Sequence, residues 1–183
     1  MLTLILGGAR SGKSQLAQRF AARVSRVCYV ATAVPGTDAE MLGRIDRHRK
    51  NRPASWRTVE EPLALADAVE EAARHTDAVL VDCLTLWLSN LFWEHRNSEP
   101  DCLEDLIQLQ IRRIASVGTS CHIILVSNEV GSGTVPEAAI TRAFRDAQGR
   151  LNQLAAEAAD EVILTVAGFP LYLKTFAAPG GAP

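Results

Sequence analysis

Eight consecutive residues, Gly7-Gly8-Ala9-Arg10-Ser11-Gly12-Lys13-Ser14, carry the most specific chemistry in the chain. They satisfy G-x-x-x-x-G-K-[ST] directly after the apolar run Leu2–Leu6 and at the head of a helical pattern, the context in which that spacing binds phosphate. Glycines let backbone N–H groups converge on phosphate oxygens at a helix N-terminus. Lys13 adds a point charge for the outer phosphates, and Ser14 offers a hydroxyl to Mg²⁺. Such a loop needs a carboxylate to hold or position the metal, usually at the carboxyl end of a buried strand. Asp82 closes Ala78-Val79-Leu80-Val81 and is the leading candidate, because an aspartate after so apolar a run is costly unless a metal or hydrogen bonds compensate. Its other reading is an N-cap for a helix starting at Leu84.

A second concentration of chemistry lies at Arg44-Ile45-Asp46-Arg47-His48-Arg49-Lys50-Asn51-Arg52, the densest cationic run in a chain of formal net charge -2. Thr37-x-x-Glu40 reads as a capping box opening the helix, and Met41, Ile45 and His48 fall on one stripe at i, i+4 and i+7. Arg47, Arg49 and Lys50 spread around that helix while His48 points with the apolar positions toward protein. Surrounding positive charge favours neutral imidazole, the form with a lone pair free to attack phosphorus. By itself the pattern leaves His48 open between a packing residue and a nucleophile, and the basic run open between an anion site and a solvated face.

The elements that must position these residues alternate. Strand-like runs fall at Leu2–Leu6, Arg26–Ala31, Ala78–Cys83, His122–Ser127 and Glu161–Val166, with helices expected at Lys13–Val24, Asp38–Lys50, Pro62–His75, Leu84–Glu94, Pro100–Val117 and Pro136–Ala158. This alternation predicts an α/β fold, a P-loop NTPase-like three-layer sandwich around a mainly parallel sheet. Runs such as Val79-Leu80-Val81 and Ile123-Ile124-Leu125-Val126 are apolar throughout, as burial on both faces by helices requires. Ala167-Gly168-Phe169-Pro170 reads as a turn into an antiparallel edge strand at Leu171–Lys174, and residues 177–183 as a disordered Pro/Gly-rich tail after one catalytic domain spanning 1–176.

At 183 residues and 48% hydrophobic content the chain has material for one sizeable core. A charge of -2 gives no global attraction to nucleic acid or acidic membranes. The widely spaced Cys28, Cys83, Cys102 and Cys121 contain no C-x-x-C pair and read as reduced cysteines of a cytoplasmic protein, and no apolar stretch is long enough to span a bilayer. His75, His95 and His122 lack metal-ligand spacing. Trp56, Trp87 and Trp93 read as packing or interface anchors, outside the site.

Read together, several motifs are specific: residues 7–14, Tyr29-Val30-Ala31-Thr32-Ala33, Arg44-Ile45-x-x-His48, Arg52-Pro53-x-x-Trp56-x-Thr58-x-Glu60, Asn128-Glu129-Val130-Gly131-Ser132-Gly133-Thr134-Val135-Pro136, Phe144-Arg145-Asp146-x-x-Gly149-Arg150-x-Asn152-Gln153 and Ala159-Asp160-Glu161-Val162. Over roughly residues 1–168 the chain resembles the adenosylcobinamide kinase/adenosylcobinamide-phosphate guanylyltransferase family of cobalamin assembly. The resemblance implies phosphorylation of adenosylcobinamide by ATP or GTP, then transfer of GMP from GTP, through a guanylylated histidine, to the resulting phosphate. His48 is the histidine that fits the nucleophile's position. Gly7, Gly8, Ala9, Arg10, Ser11, Gly12, Lys13 and Ser14 would hold the triphosphate, and Ala31, Thr32 and Ala33 would border the nucleotide. Arg49, Lys50, Asn51 and Arg52 would line the guanylylation site, with Glu60 and Asp82 in contact with GTP. Some relatives carry glutamate where Asp82 stands, so the shorter side chain would reach through a water.

The implied partners are a corrinoid and nucleoside triphosphates with Mg²⁺, and the implied assembly is a homo-oligomer, expected to be a trimer. The Asn128-Glu129 corner ends the fourth predicted strand, where open α/β sheets place ligands, and is expected to face the site; a plain turn is its other reading. Two other functions fit parts of the pattern. A single-function P-loop kinase would share Lys13, Ser14 and Asp82 and leave His48 incidental, and a nucleotide-dependent binding module would order the loop near Pro35–Asp38 without chemistry.

Overall fold

The computed structural model describes residues 1–34, 42, 43, 46, 49, 52–96 and 100–175. In chain order they form β1 (Leu2–Gly7), α1 (Lys13–Ala21), β2 (Val27–Ala31), β3 (Arg57–Glu60), α2 (Leu65–Ala73), β4 (Ala78–Asp82), α3 (Leu84–Glu94), α4 (Pro100–Val117), β5 (His122–Asn128), α5 (Ala139–Ala158), β6 (Glu161–Val166) and β7 (Phe169–Lys174). The strands make one sheet in the order β3-β2-β4-β5-β1-β6-β7, parallel except for the antiparallel pair β6–β7. The fold is α/β, as the alternation of runs predicts.

Every residue of β1 and β2 is buried, because helices cover both faces. On one face Leu4, Val30, Val81 and Leu125 pack against Leu65 and Val69 of α2, Trp87 and Leu88 of α3, Ile111 and Ile114 of α4, and Leu151 of α5. On the other, Ile5, Tyr29, Leu80 and Ile124 meet Leu16, Ala17 and Phe20 of α1. Trp87 is fully buried and its Nε1 donates to the Leu63 carbonyl at 2.9 Å, so it is a packing anchor; truncation to alanine would cost about 3–5 kcal/mol.

The connection from β1 runs through α1 on one face toward β2. That from β5 runs through α5 on the other face to β6, on the far side of β1. The loops after β1 and β5 therefore part at their carboxyl ends, opening the crevice in which doubly wound sheets take ligands.

Several boundaries differ from the sequence reading. Strand β3 carries no apolar run, and its four side chains are exposed or half-buried at the edge of the sheet, so periodicity does not reveal it. Helix α1 stops at Ala21, after which Arg23 and Val24 N–H groups turn back to the carbonyls of Phe20 and Ala21. Helix α2 begins at Leu65 and not at Pro62, because the Glu61 carboxylate accepts from the N–H groups of Leu63 and Ala64 and shapes the approach as a turn. Helix α5 begins at Ala139, three residues after the proline expected to open it. The β6–β7 turn needs only Ala167 and Gly168, both at positive φ, so Phe169 and Pro170 already belong to the edge strand.

The helix expected over 38–50 and the tail at 177–183 fall largely or wholly outside the described residues. No disulfide joins the four cysteines, of which Cys28, Cys83 and Cys121 are buried and Cys102 is exposed. Among the described residues, no helix is long and apolar enough to cross a membrane.

Candidate functional site

The glycine loop is shaped by two residues in the left-handed region, Arg10 at φ 58° and Gly12 at φ 94°. Gly7 admits no side chain: a Cβ there would lie 2.4 Å from Ser11 Oγ and 2.7 Å from the Thr165 carbonyl oxygen. The turn between β6 and β7 supports the loop from behind, with the Gly168 N–H donating to the Ser11 carbonyl at 2.8 Å. Lys13 Nζ folds back onto the Gly8 carbonyl at 3.1 Å. Burial holds its ammonium below the ordinary lysine value, while nearby Cys83 and Asp82 pull the other way. A partly desolvated cation beside a carboxylate at a helix N-terminus is suited to the outer phosphates of a nucleotide.

Asp82 is not a helix cap. Cys83 occupies that place, with no side-chain capping bond, whereas the Asp82 Oδ2 accepts a hydrogen bond from Tyr29 Oη at 2.8 Å. Register puts Glu60, Ala31 and Asp82 side by side at the carboxyl ends of β3, β2 and β4. Thr32 follows Ala31, fully buried; its hydroxyl donates to the Cys83 carbonyl at 2.7 Å and accepts from the Cys83 N–H at 3.0 Å. That hydroxyl is committed to joining the ends of β2 and β4. Burial pushes the Cys83 thiol up to about 11, leaving it a protonated packing group.

Beyond Tyr29 lies a surface that carries two arginines. The Arg52 guanidinium stacks on the Tyr29 ring, 3.5 Å from its centroid, and Arg49 pairs with Glu60. Arg49, Arg52, Trp56, Thr58 and Glu60 line a cleft of about 400 Å³. A neighbouring groove of about 450 Å³, sharing Pro53 and Trp56, runs along Gln15, Gln18 and Arg19 of α1. The structure thus gathers Lys13 with Asp82, and Arg49 and Arg52 with Glu60, with Tyr29 between the two groups. His48, Lys50 and Asn51 lie outside the described residues.

The Asn128-Glu129 corner abuts the phosphate loop: the Glu129 N–H donates to the Gly7 carbonyl at 3.1 Å and the Asn128 N–H to Thr85 Oγ1 at 2.9 Å. Beneath it, Asn152 Nδ2 donates to the Asn128 carbonyl, while Ser127 Oγ and Gln148 Nε2 both donate to Asn152 Oδ1. Arg145 grips the carbonyls of Gly131 and Thr134. These helix residues hold the corner in place.

Two residues of the site are not evident from spacing alone. Tyr29 stands in the sequence only as part of a motif, although its hydroxyl is the polar tip within the apolar β2. Trp56 packs against the second core cluster, as expected of a packing anchor, and also lines both clefts. Asn90 is a lone amide on the apolar α3, and its Nδ2 donates to the carbonyls of Thr32 and Pro62. A polar tip inside an apolar element was the available signal for Tyr29 and Asn90, since such groups must find partners.

The Ser14 hydroxyl and Asp82 carboxylate are hard oxygen donors of the kind Mg²⁺ takes. Among the described residues no three His, Cys, Asp or Glu side chains converge on one point, so a metal here would draw its remaining ligands from phosphate and water.

A model of the cobinamide kinase / cobinamide phosphate guanyltransferase family matches residues 3–173. The bifunctional adenosylcobalamin biosynthesis protein CobP of Pseudomonas aeruginosa is 47% identical over 175 residues, covering 95% of this chain and 98% of the relative. The bifunctional adenosylcobalamin biosynthesis proteins CobU of Escherichia coli and Salmonella typhimurium are each 38% identical, over 182 and 185 residues, covering 95% of this chain and all of the relative.

Proposed function

Because the chain belongs to the cobinamide kinase / cobinamide phosphate guanyltransferase family, we propose that the crevice at the carboxyl edge of its sheet carries two successive reactions on one corrinoid. The enzyme is an adenosylcobinamide kinase and adenosylcobinamide-phosphate guanylyltransferase. In the first reaction the aminopropanol hydroxyl of adenosylcobinamide attacks the γ-phosphorus of ATP or GTP, the nucleoside diphosphate leaves and the hydroxyl proton is released. In the second, a ring nitrogen of His48 attacks the α-phosphorus of GTP, the bond to the β-phosphate oxygen breaks and pyrophosphate leaves. An oxygen of adenosylcobinamide phosphate then attacks the same phosphorus, the P–N bond breaks, and adenosylcobinamide-GDP departs from regenerated His48.

Residues Gly7 to Ser14 hold the triphosphate, with Lys13 placed to stabilise charge on the outer phosphates as it shifts. Ala31, Thr32 and Ala33 border the nucleotide. Arg49, Lys50, Asn51, Arg52 and Glu60 line the guanylylation cleft. Mg²⁺, when bound with nucleotide, neutralises phosphate charge, and Ser14 and Asp82 are the residues that would hold it. The observation that carries this reading past a simple kinase is the second cleft at Arg49 and Arg52, which adjoins a groove along α1.

Residues 1–176 act as a single catalytic domain of a cytoplasmic enzyme. Phe169 and Leu171 share one face of the edge strand β7 and are 76% and 55% exposed, which supports association of copies through that strand, with a trimer as the expected assembly.

Separating corrinoids by chromatography after incubation with Mg²⁺ and nucleotide tests the reading. ATP alone should give adenosylcobinamide phosphate, and GTP should carry it to adenosylcobinamide-GDP. Arrest at the phosphate in the presence of GTP would leave a single-function kinase; bound nucleotide with no corrinoid product would leave a regulatory binding module.

A further inference from the structure

Tyr29 is 1% exposed, yet its two ends serve opposite halves of the site. Its hydroxyl donates to Asp82 Oδ2 at 2.8 Å on the phosphate-loop side, and its ring carries the Arg52 guanidinium at 3.5 Å on the cleft side. Neither contact is needed merely to fill space. Phenylalanine would pack as well in β2, and Arg52 could extend into water, where a guanidinium is well solvated. A donor on one carboxylate oxygen restricts how that carboxylate turns. An aromatic face under a guanidinium fixes the plane of the fork that meets phosphate.

We propose that Tyr29 is a positioning residue for both reactions, its hydroxyl aiming the Asp82 carboxylate at the metal of the bound nucleotide and its ring presenting Arg52 to the α-phosphate in the neighbouring cleft. This rests on Asp82 serving the metal and Arg52 the guanylyl group, as set out above. Tyr29→Phe keeps the ring under Arg52 and loses the hydroxyl, with its bond to Asp82 and its contact with the Arg52 charge; Tyr29→Leu loses the ring as well.

The test is GTP affinity measured calorimetrically with Mg²⁺ and with EDTA, alongside the rate at which labelled GMP becomes attached to the protein. For Tyr29→Phe the affinity for GTP with Mg²⁺ should fall about tenfold, the size expected for one hydrogen bond to a charged group. Affinity in EDTA and the thermal midpoint should stay near wild type. In an Asp82→Asn background the same substitution should have little further effect, since the two groups act as one unit. Tyr29→Leu should in addition slow GMP attachment well below the Tyr29→Phe rate.

Equal losses with and without Mg²⁺, or a Tyr29→Phe affinity within about twofold of wild type, would overturn the hydroxyl's role. Additive effects with Asp82→Asn would do the same, and that cycle remains readable if the single variant is less stable. Equal GMP attachment by the Phe and Leu variants would overturn the role of the ring. Absence of GMP attachment in the wild type would instead contradict the guanylyl-transfer reading, and the Mg²⁺-dependent affinities would still judge the link to Asp82.

Discussion

Asn90 Nδ2 donates to the carbonyl of Thr32 at 2.8 Å and thereby fixes the carboxyl end of β2 from the middle of α3. The same amide nitrogen reaches the Pro62 carbonyl at 3.1 Å, so one side chain ties the segment after β2 to the segment before α2. Asn90→Leu, close in volume, would leave two partly buried carbonyls without this donor. The expected cost is about 1–3 kcal/mol, read as a lower urea midpoint with unchanged m-value. Nucleotide affinity should fall as well, because Ala31 and Ala33 flank the anchored residue.

Lys13 links stability and binding with opposite signs. Its folded-state pKa lies below the ordinary value of 10.5, so between the two values the unfolded chain holds more protons and the unliganded protein gains stability as pH rises. Lys13→Met should abolish that alkaline gain and leave the unliganded fold at least as stable at neutral pH, while weakening GTP binding by about 10- to 150-fold. Wild-type GTP affinity should decline as pH rises through the lowered pKa. Thermal melts and calorimetric titrations between neutral pH and pH 10 would check both.

The two glycines that open the phosphate loop should respond differently to the same change. An alanine Cβ at Gly7 would overlap Ser11 Oγ and a backbone carbonyl, whereas one at Gly8 meets nothing within 4 Å. Gly7→Ala should destabilise by about 1–3 kcal/mol and lose nucleotide binding. Gly8→Ala should stay within about 0.5 kcal/mol of wild type in a denaturant melt.

The edge strand offers a test of assembly. Leu171→Lys places a charge on the apolar face of β7, at the edge of the sheet and two strands from β1. Light scattering after size exclusion should show a smaller species than the wild type, with its fold retained. An unchanged mass would place the contact elsewhere.

The central strands were legible in the sequence because burial on both faces leaves continuous apolar runs, and the phosphate loop because its glycine spacing follows such a run. Helices α3 and α4 start and stop where apolar periodicity begins and ends. Strand β3 was not legible, since an edge strand of Arg57-Thr58-Val59-Glu60 has almost nothing to bury. Pro62 and Pro136 mark positions ahead of the helix starts at Leu65 and Ala139, because proline also fits the turn before a helix and periodicity does not say where the first helical hydrogen bond forms. Asp82 could be singled out as an expensive aspartate, but not joined to Tyr29, 53 residues away in sequence, because that contact exists only once β2 and β4 pair. Arg49, Arg52 and Glu60 are near one another in sequence, but Arg52 meets Tyr29 only where β3 pairs with β2.

The central claim is that GMP passes through His48. Protein incubated with Mg²⁺ and GTP labelled at either the α- or the γ-phosphate, then weighed intact and mapped by peptide, tests it directly. The account predicts retained α-label, no γ-label and a mass gain of one GMP, attached to the peptide containing His48 by an acid-labile, base-stable bond and absent from His48→Ala. Wild-type protein that binds GTP and retains no α-label, or His48→Ala that retains as much as wild type, would contradict it.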